Sequence, residues 1–162
     1  MGAGIALVSA QAGLQVVLID QTQVAADKGK AYSEAYMDKG IKRGKATAEK
    51  KQAVLDKIIA TTEYQALSDA DLIIEAVFED PKVKAEITGA VEAIIPKNCI
   101  FASNTSTLPI SELAKASARP EQFIGIHFFS PVERMALVEI IKGKATGGRA
   151  VAKALDLSLI HI

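Results

Sequence analysis

Five short apolar runs, at residues 16–19, 72–78, 99–102, 123–129 and 137–141, narrow most what this chain can fold into. A strand with one face in water alternates polar and apolar residues. These runs are almost continuously Val, Ile, Leu, Phe and Ala, as expected of strands buried on both faces. Helix-length segments lie between most of them, and strand–helix alternation is the signature of a parallel sheet covered by helices. The expected fold class is therefore α/β, a mostly parallel sheet with helices on both faces.

The segments between the runs carry their own signals. Residues 2–12 are small or aliphatic, which suits close packing of a helix on a sheet, and Gly13 is placed to end that helix. Asp80 and Pro81 open another, in which Val83, Ile87, Ala90, Val91 and Ile94 recur with helical period until Pro96 stops it. Ser111 is placed to cap a short helix through Ala116. Residues 149–157 suit a last helix, followed by an apolar tail at 159–162. Residues 22–58 read as a long polar helical segment with nine Lys or Arg against five acids, broken at Gly29, Gly40 or Gly44. Such a stretch is either a solvated helical hairpin or a basic surface for the phosphates of a bulky anionic substrate.

Composition removes several function classes. The 162 residues, 49% hydrophobic, suffice for one core, and 19 basic residues balance 19 acidic ones. A net charge of zero gives no case for a nucleic-acid or membrane-surface partner. The single cysteine, Cys99, cannot form an internal disulfide and reads as a small buried hydrophobe. The apolar first nineteen residues do not read as a signal peptide or membrane span, because Gln11 and Gln15 interrupt them and no basic residue precedes Lys28. A cytoplasmic protein is expected, with organelle targeting left open, and no metal site.

Three polar residues, Ser106, His127 and Glu139, stand at or just past the ends of apolar runs, where an open α/β sheet presents side chains for chemistry. The twelve residues from His127 to Glu139 fit a strand, a turn marked by Pro131 and a strand returning alongside. That would let a carboxylate orient an imidazole for proton transfer near neutral pH. A lone His in an apolar run is more often an ordinary interior residue. Asp20, at the end of run 16–19, suits the acid that accepts hydrogen bonds from an adenosine ribose, selecting NAD over NADP. It could also simply help Thr22 begin the next helix.

Five stretches carry a more specific signal: Met1-Gly2-Ala3-Gly4-Ile5-Ala6, Val17-Leu18-Ile19-Asp20-Gln21-Thr22, Phe101-Ala102-Ser103-Asn104-Thr105-Ser106, His127-Phe128-Phe129-Ser130-Pro131-Val132 and Leu137-Val138-Glu139-Ile140. Together they resemble the Rossmann-type NAD-binding domain of the L-3-hydroxyacyl-CoA dehydrogenases, particularly the form in multifunctional fatty-acid oxidation proteins. The resemblance runs to about Lys142. It implies an NAD-binding domain over residues 1–145 with a helical protrusion at about 22–58, and the start of a further helix and tail over 146–162. Met1-Gly2 matches only the last two positions of the family's G-x-G-x-x-G loop. The first strand is therefore expected to be missing; the family's helical C-terminal domain is expected to be missing too, and a fragment with little or no turnover is expected.

The resemblance further implies that Gly2, Asp20, Glu79, Lys84, Ser106 and Ser130 contact NAD, Ser130 standing where many members have Asn. His127 would be the catalytic base, Glu139 would orient it, and Ser106 would also hold the substrate. The implied reaction is oxidation of the 3-hydroxyl of an acyl-CoA in fatty-acid β-oxidation, by a protein whose full-length relatives are homodimers or parts of a multienzyme complex. The rival readings are a β-hydroxyacid dehydrogenase, which would use a Lys base, and a non-catalytic module that binds nucleotide weakly or serves only for interaction.

Overall fold

The computed structural model describes residues 1–161. They form two compact units, Met1–Ala66 with Ser130–Met135, and Leu67–Phe129 with the residues from Ala136 on.

In the first unit α1 (Gly2–Gln11) leads to β1 (Val16–Ile19), α2 (Gln23–Lys42), α3 (Ala48–Leu55) and β2 (Ile58–Thr61). Gly13 ends α1 as expected: with φ +94° it turns the chain so that its own N–H reaches Ala10 O and the N–H of Leu14 reaches Ser9 O. Thr22 and Thr47 cap α2 and α3 through their hydroxyls, and Gly44, at φ +68°, follows the end of α2. β1 and β2 pair in parallel from Val16 opposite Ile58 to Ile19 opposite Thr61. Leu7, Ala10, Met37, Val54 and Ile58 close a core around them. β2 was not evident in the sequence because Val54 and Ile58 share helical spacing, so that Ile58 reads as one more turn of helix.

The second unit runs β3 (Leu72–Glu75), α4 (Pro81–Glu92), β4 (Ile100–Ser103), α5 (Ile110–Leu113), β5 (Phe123–Phe128), β6 (Val138–Ile141) and α6 (Gly148–His161). Its sheet has the order β3-β4-β5-β6, parallel except for β6, which returns antiparallel to β5. All four residues of β4 are buried. Successive strand residues face opposite sides, so both faces there are covered, as its unbroken apolar sequence requires. Phe101 and Phe123 stack 5.4 Å apart across β4 and β5, and α6 packs on β5 and β6 with Ala150, Ala154 and Leu157 buried. Asp80 caps α4 with Pro81 at its start, as expected.

Three expectations need correction. The strand expected over 72–78 stops at Glu75, whose carboxylate accepts the N–H of Val77 and turns the chain out, leaving Phe78 78% exposed. Ser111 caps no helix: α5 enters on Pro109, whose φ of −62° suits a helix start, and the Ser111 hydroxyl instead accepts from Lys144 N. The apolar tail continues α6 to His161 with Leu159 and Ile160 exposed, while Ile162 lies outside the described residues.

Gly125 is where β5 has no room for a side chain. A Cβ there would lie 2.7 Å from Ile110 Cδ1 and 2.9 Å from Ile141 Cβ. Gly125→Ala is expected to cost about 1–3 kcal/mol, read as a lower urea midpoint at unchanged slope.

Candidate active site

Antiparallel pairing of β5 with β6 puts His127 directly opposite Glu139. Their side chains meet, His127 Nδ1 lying 2.9 Å from Glu139 Oε2. A carboxylate can only accept, so Nδ1 carries the proton in this bond, and in the neutral ring Nε2 then keeps the lone pair. The imidazole is mostly buried, its side chain 16% exposed, and packs at 4.6 Å against the ring of Phe129, while Glu139 is 54% exposed. This is the geometry that the twelve-residue spacing suggested.

Ser106 lies in the loop that leaves β4, and its position is set by buried charge. Glu75, at the end of β3, and Lys84, on α4, have side chains 1% and 2% exposed and meet at 2.8 Å. The second oxygen of Glu75 accepts from Ser103 Oγ at 2.8 Å. Lys84 Nζ also faces Val77 O at 3.5 Å and Glu79 Oε2 at 3.4 Å. Glu79 in turn gathers the loop: its Oε1 accepts from the hydroxyl of Thr105, from Ser106 N at 2.9 Å and from Thr107 N at 3.2 Å. Ser106 and Glu139 line an open cleft of about 480 Å³ between this loop and β6.

Lys84 thus stands behind Glu79. Its ammonium donates to Glu75 Oε1 and Val77 O and faces the Glu79 carboxylate at 3.4 Å.

Burial pushes the Glu79 carboxyl up, but the Thr105 hydroxyl, the Thr107 and Ser106 amides and the Lys84 ammonium outweigh it and bring the group from 4.5 down to about 2. A carboxyl depressed by folding adds stability above its unfolded pKa, and that stability is lost as pH falls through the folded one. Wild type should therefore be more stable than Glu79→Gln at pH 6, and the advantage should vanish between about pH 4.5 and 2 in urea unfolding measured across that range.

The other expected cofactor residues belong to the first unit. Asp20 is exposed at the carboxyl end of β1, one oxygen accepting Gln21 N at 2.8 Å. Gly2 opens α1, which has no side-chain cap, and a Cβ there would meet nothing nearer than Leu18 Cδ1 at 4.0 Å. Ser130 is exposed and precedes Pro131 through a cis peptide bond. A bare helix N-terminus that begins on glycine, with an acid at the tip of the adjoining strand, fits a dinucleotide's pyrophosphate and ribose hydroxyls.

Residues 1–159 match the family described as "3-hydroxyacyl-CoA dehydrogenase, NAD binding domain". The chain belongs to that family. The cofactor of this family's domain is NAD. The fatty acid oxidation complex subunit alpha of Idiomarina loihiensis is 44% identical over 159 residues, which are 98% of this chain and 22% of that protein. The structure of (S)-3-hydroxybutyryl-CoA dehydrogenase from Ralstonia eutropha superposes with a TM-score of 0.96 at 40% identity, over 99% of this chain and 57% of that one. For 3-hydroxybutyryl-CoA dehydrogenase from Escherichia coli the TM-score is 0.95 at 36% identity, over 99% of this chain and 34% of that one. The chain therefore spans about a fifth of its curated relative's length and a third to somewhat over half of these solved ones.

Sequence reasoning missed Glu75, Asn104 and Thr105. Glu75 did leave a trace, an acid inside an otherwise apolar run. Asn104 and Thr105 are common strand-end residues whose partners lie on other strands or loops, at sequence separations above twenty. Among the described residues no helix is long and apolar enough to cross a membrane, and no cluster of His, Cys, Asp or Glu is suited to a metal.

Proposed function

We propose that this chain is the NAD-binding part of an enzyme that oxidises L-3-hydroxyacyl-CoA to 3-ketoacyl-CoA in fatty-acid β-oxidation. The observation that carries the reading is the bond from His127 Nδ1 to Glu139. It fixes the tautomer in which Nε2 can take a proton, and it keeps a negative charge beside the ring that becomes positive. A Lys-dependent β-hydroxyacid dehydrogenase would have no use for that pair.

In this mechanism His127 Nε2 accepts the proton of the substrate 3-hydroxyl, and Glu139 stabilises the resulting imidazolium. Ser106 holds the substrate oxygen so that the reacting carbon is oriented, and Glu79 with Lys84 behind it keeps the Ser106 loop in place. Bound NAD supplies the acceptor for the hydride. Asp20 takes the adenosine ribose hydroxyls and disfavours a 2′-phosphate, Gly2 leaves the start of α1 open to the pyrophosphate, Ser106 reaches the nicotinamide region, and Glu79 and Ser130 also contact the cofactor. Lysines of the 22–58 segment face the nucleotide of CoA. The parent polypeptide works as a homodimer or within a fatty-acid oxidation complex.

Residues 1–159 exchanged for the matching part of the Ralstonia eutropha enzyme test the proposal. The chimaera should oxidise NADH with acetoacetyl-CoA. A folded chimaera that binds NADH without turnover would instead mark the chain as a nucleotide-binding module.

A further inference from the structure

β5 outruns its parallel neighbour. The last Cα pair between β4 and β5 is Ser103 with Gly125, yet β5 continues through Ile126, His127 and Phe128. Along those three residues the strand is paired on its β6 edge, His127 opposite Glu139 and Phe128 opposite Val138. On the other edge β4 has ended. A partly buried N–H without an acceptor is costly, and a strand end held on one edge is free to rock.

Asn104 fills that place. Its Oδ1 accepts the N–H of Phe128 at 2.8 Å, while its own backbone N–H donates to Glu75 O at 2.8 Å. One residue thus joins the ends of three strands: its main chain follows β4 and binds β3, and its side chain binds β5. Asn104 is two residues before Ser106, and Phe128 is one residue after His127, so the link runs between the two segments that carry the proposed chemistry.

We propose that Asn104 is a positioning residue for His127, its carboxamide replacing the backbone rung that β4 no longer supplies and holding the imidazole on Glu139. The inference rests on the reading of His127 as the base, but its test needs no turnover. Asp at 104 keeps an acceptor oxygen at the same reach, whereas Ala removes it.

Nuclear magnetic resonance on the chain itself gives two readouts. The Phe128 amide should exchange slowly in wild type although it lies beyond the β4 ladder. In Asn104→Ala it should exchange about tenfold faster, the protection of one hydrogen bond, and in Asn104→Asp it should stay protected. The nitrogen shifts of His127 should show Nδ1–H predominating in wild type and Asn104→Asp, and a mixture closer to free imidazole in Asn104→Ala. A strand cap with no bearing on the base would speed exchange and leave the tautomer ratio alone, which overturns the proposal. Rapid Phe128 exchange in wild type overturns it too, whether or not the Ala variant folds. If His127→Gln in the chimaera keeps full activity, the reading of the base fails, while the tautomer result remains a separate measurement.

Discussion

Lys84→Met should destabilise the second unit by about 3–5 kcal/mol, the cost of leaving a buried charge without its partner. Methionine keeps most of the lysine's volume, so the loss is electrostatic. Glu75 remains with a side chain 1% exposed, accepting from Ser103 Oγ and Val77 N but facing no cation. The effect concerns breakage of the pair, since a buried ion pair as a whole can be nearly neutral against an apolar pair of similar size. Glu75→Leu combined with Lys84→Met should therefore cost clearly less than the two single losses added, what remains coming from Ser103 Oγ and Val77 N, which are left without their acceptor. Urea unfolding of the two variants decides it. A Lys84→Met variant within 1 kcal/mol of wild type would falsify the account, as would a double variant that adds the two losses.

The pair also shows where sequence and structure part company. The resemblance singled out Lys84 and Glu79, but their order, Lys84 behind and Glu79 in front, depends on how α4 lies against the ends of β3 and β4. Glu75 has a burial that its residue type argues against, and nothing local to it names a partner nine residues on. Local signals were read correctly where the physics is local: Gly13 at a positive φ, Asp80 capping a helix with Pro81 next to it, the unbroken apolar run of β4. The His127–Glu139 contact was legible because the twelve-residue spacing fits a strand, a turn at Pro131 and a strand returning alongside, which the antiparallel register pairs directly. β2 and Asn104 were not, since a four-residue strand beside a helix and a side chain that stands in for backbone have no pattern of their own.

His127→Gln in the chimaera should lower kcat by about 10²–10⁴, the range for removing a general base, and leave the Kd for NADH unchanged. Glutamine roughly matches the reach of the imidazole and can keep a hydrogen bond to Glu139, so the packing against Phe129 changes little while the basic nitrogen disappears. Glu139→Gln should cost less, about tenfold to a hundredfold, because the base survives but loses the acceptor that fixes its tautomer and the charge that stabilises its protonated form. The two groups act as one device, so the double variant should be no slower than His127→Gln alone. Independent losses that multiply would mean that Glu139 serves the reaction by some route other than the imidazole, and a single His127 variant with wild-type kcat would remove the base from the mechanism altogether.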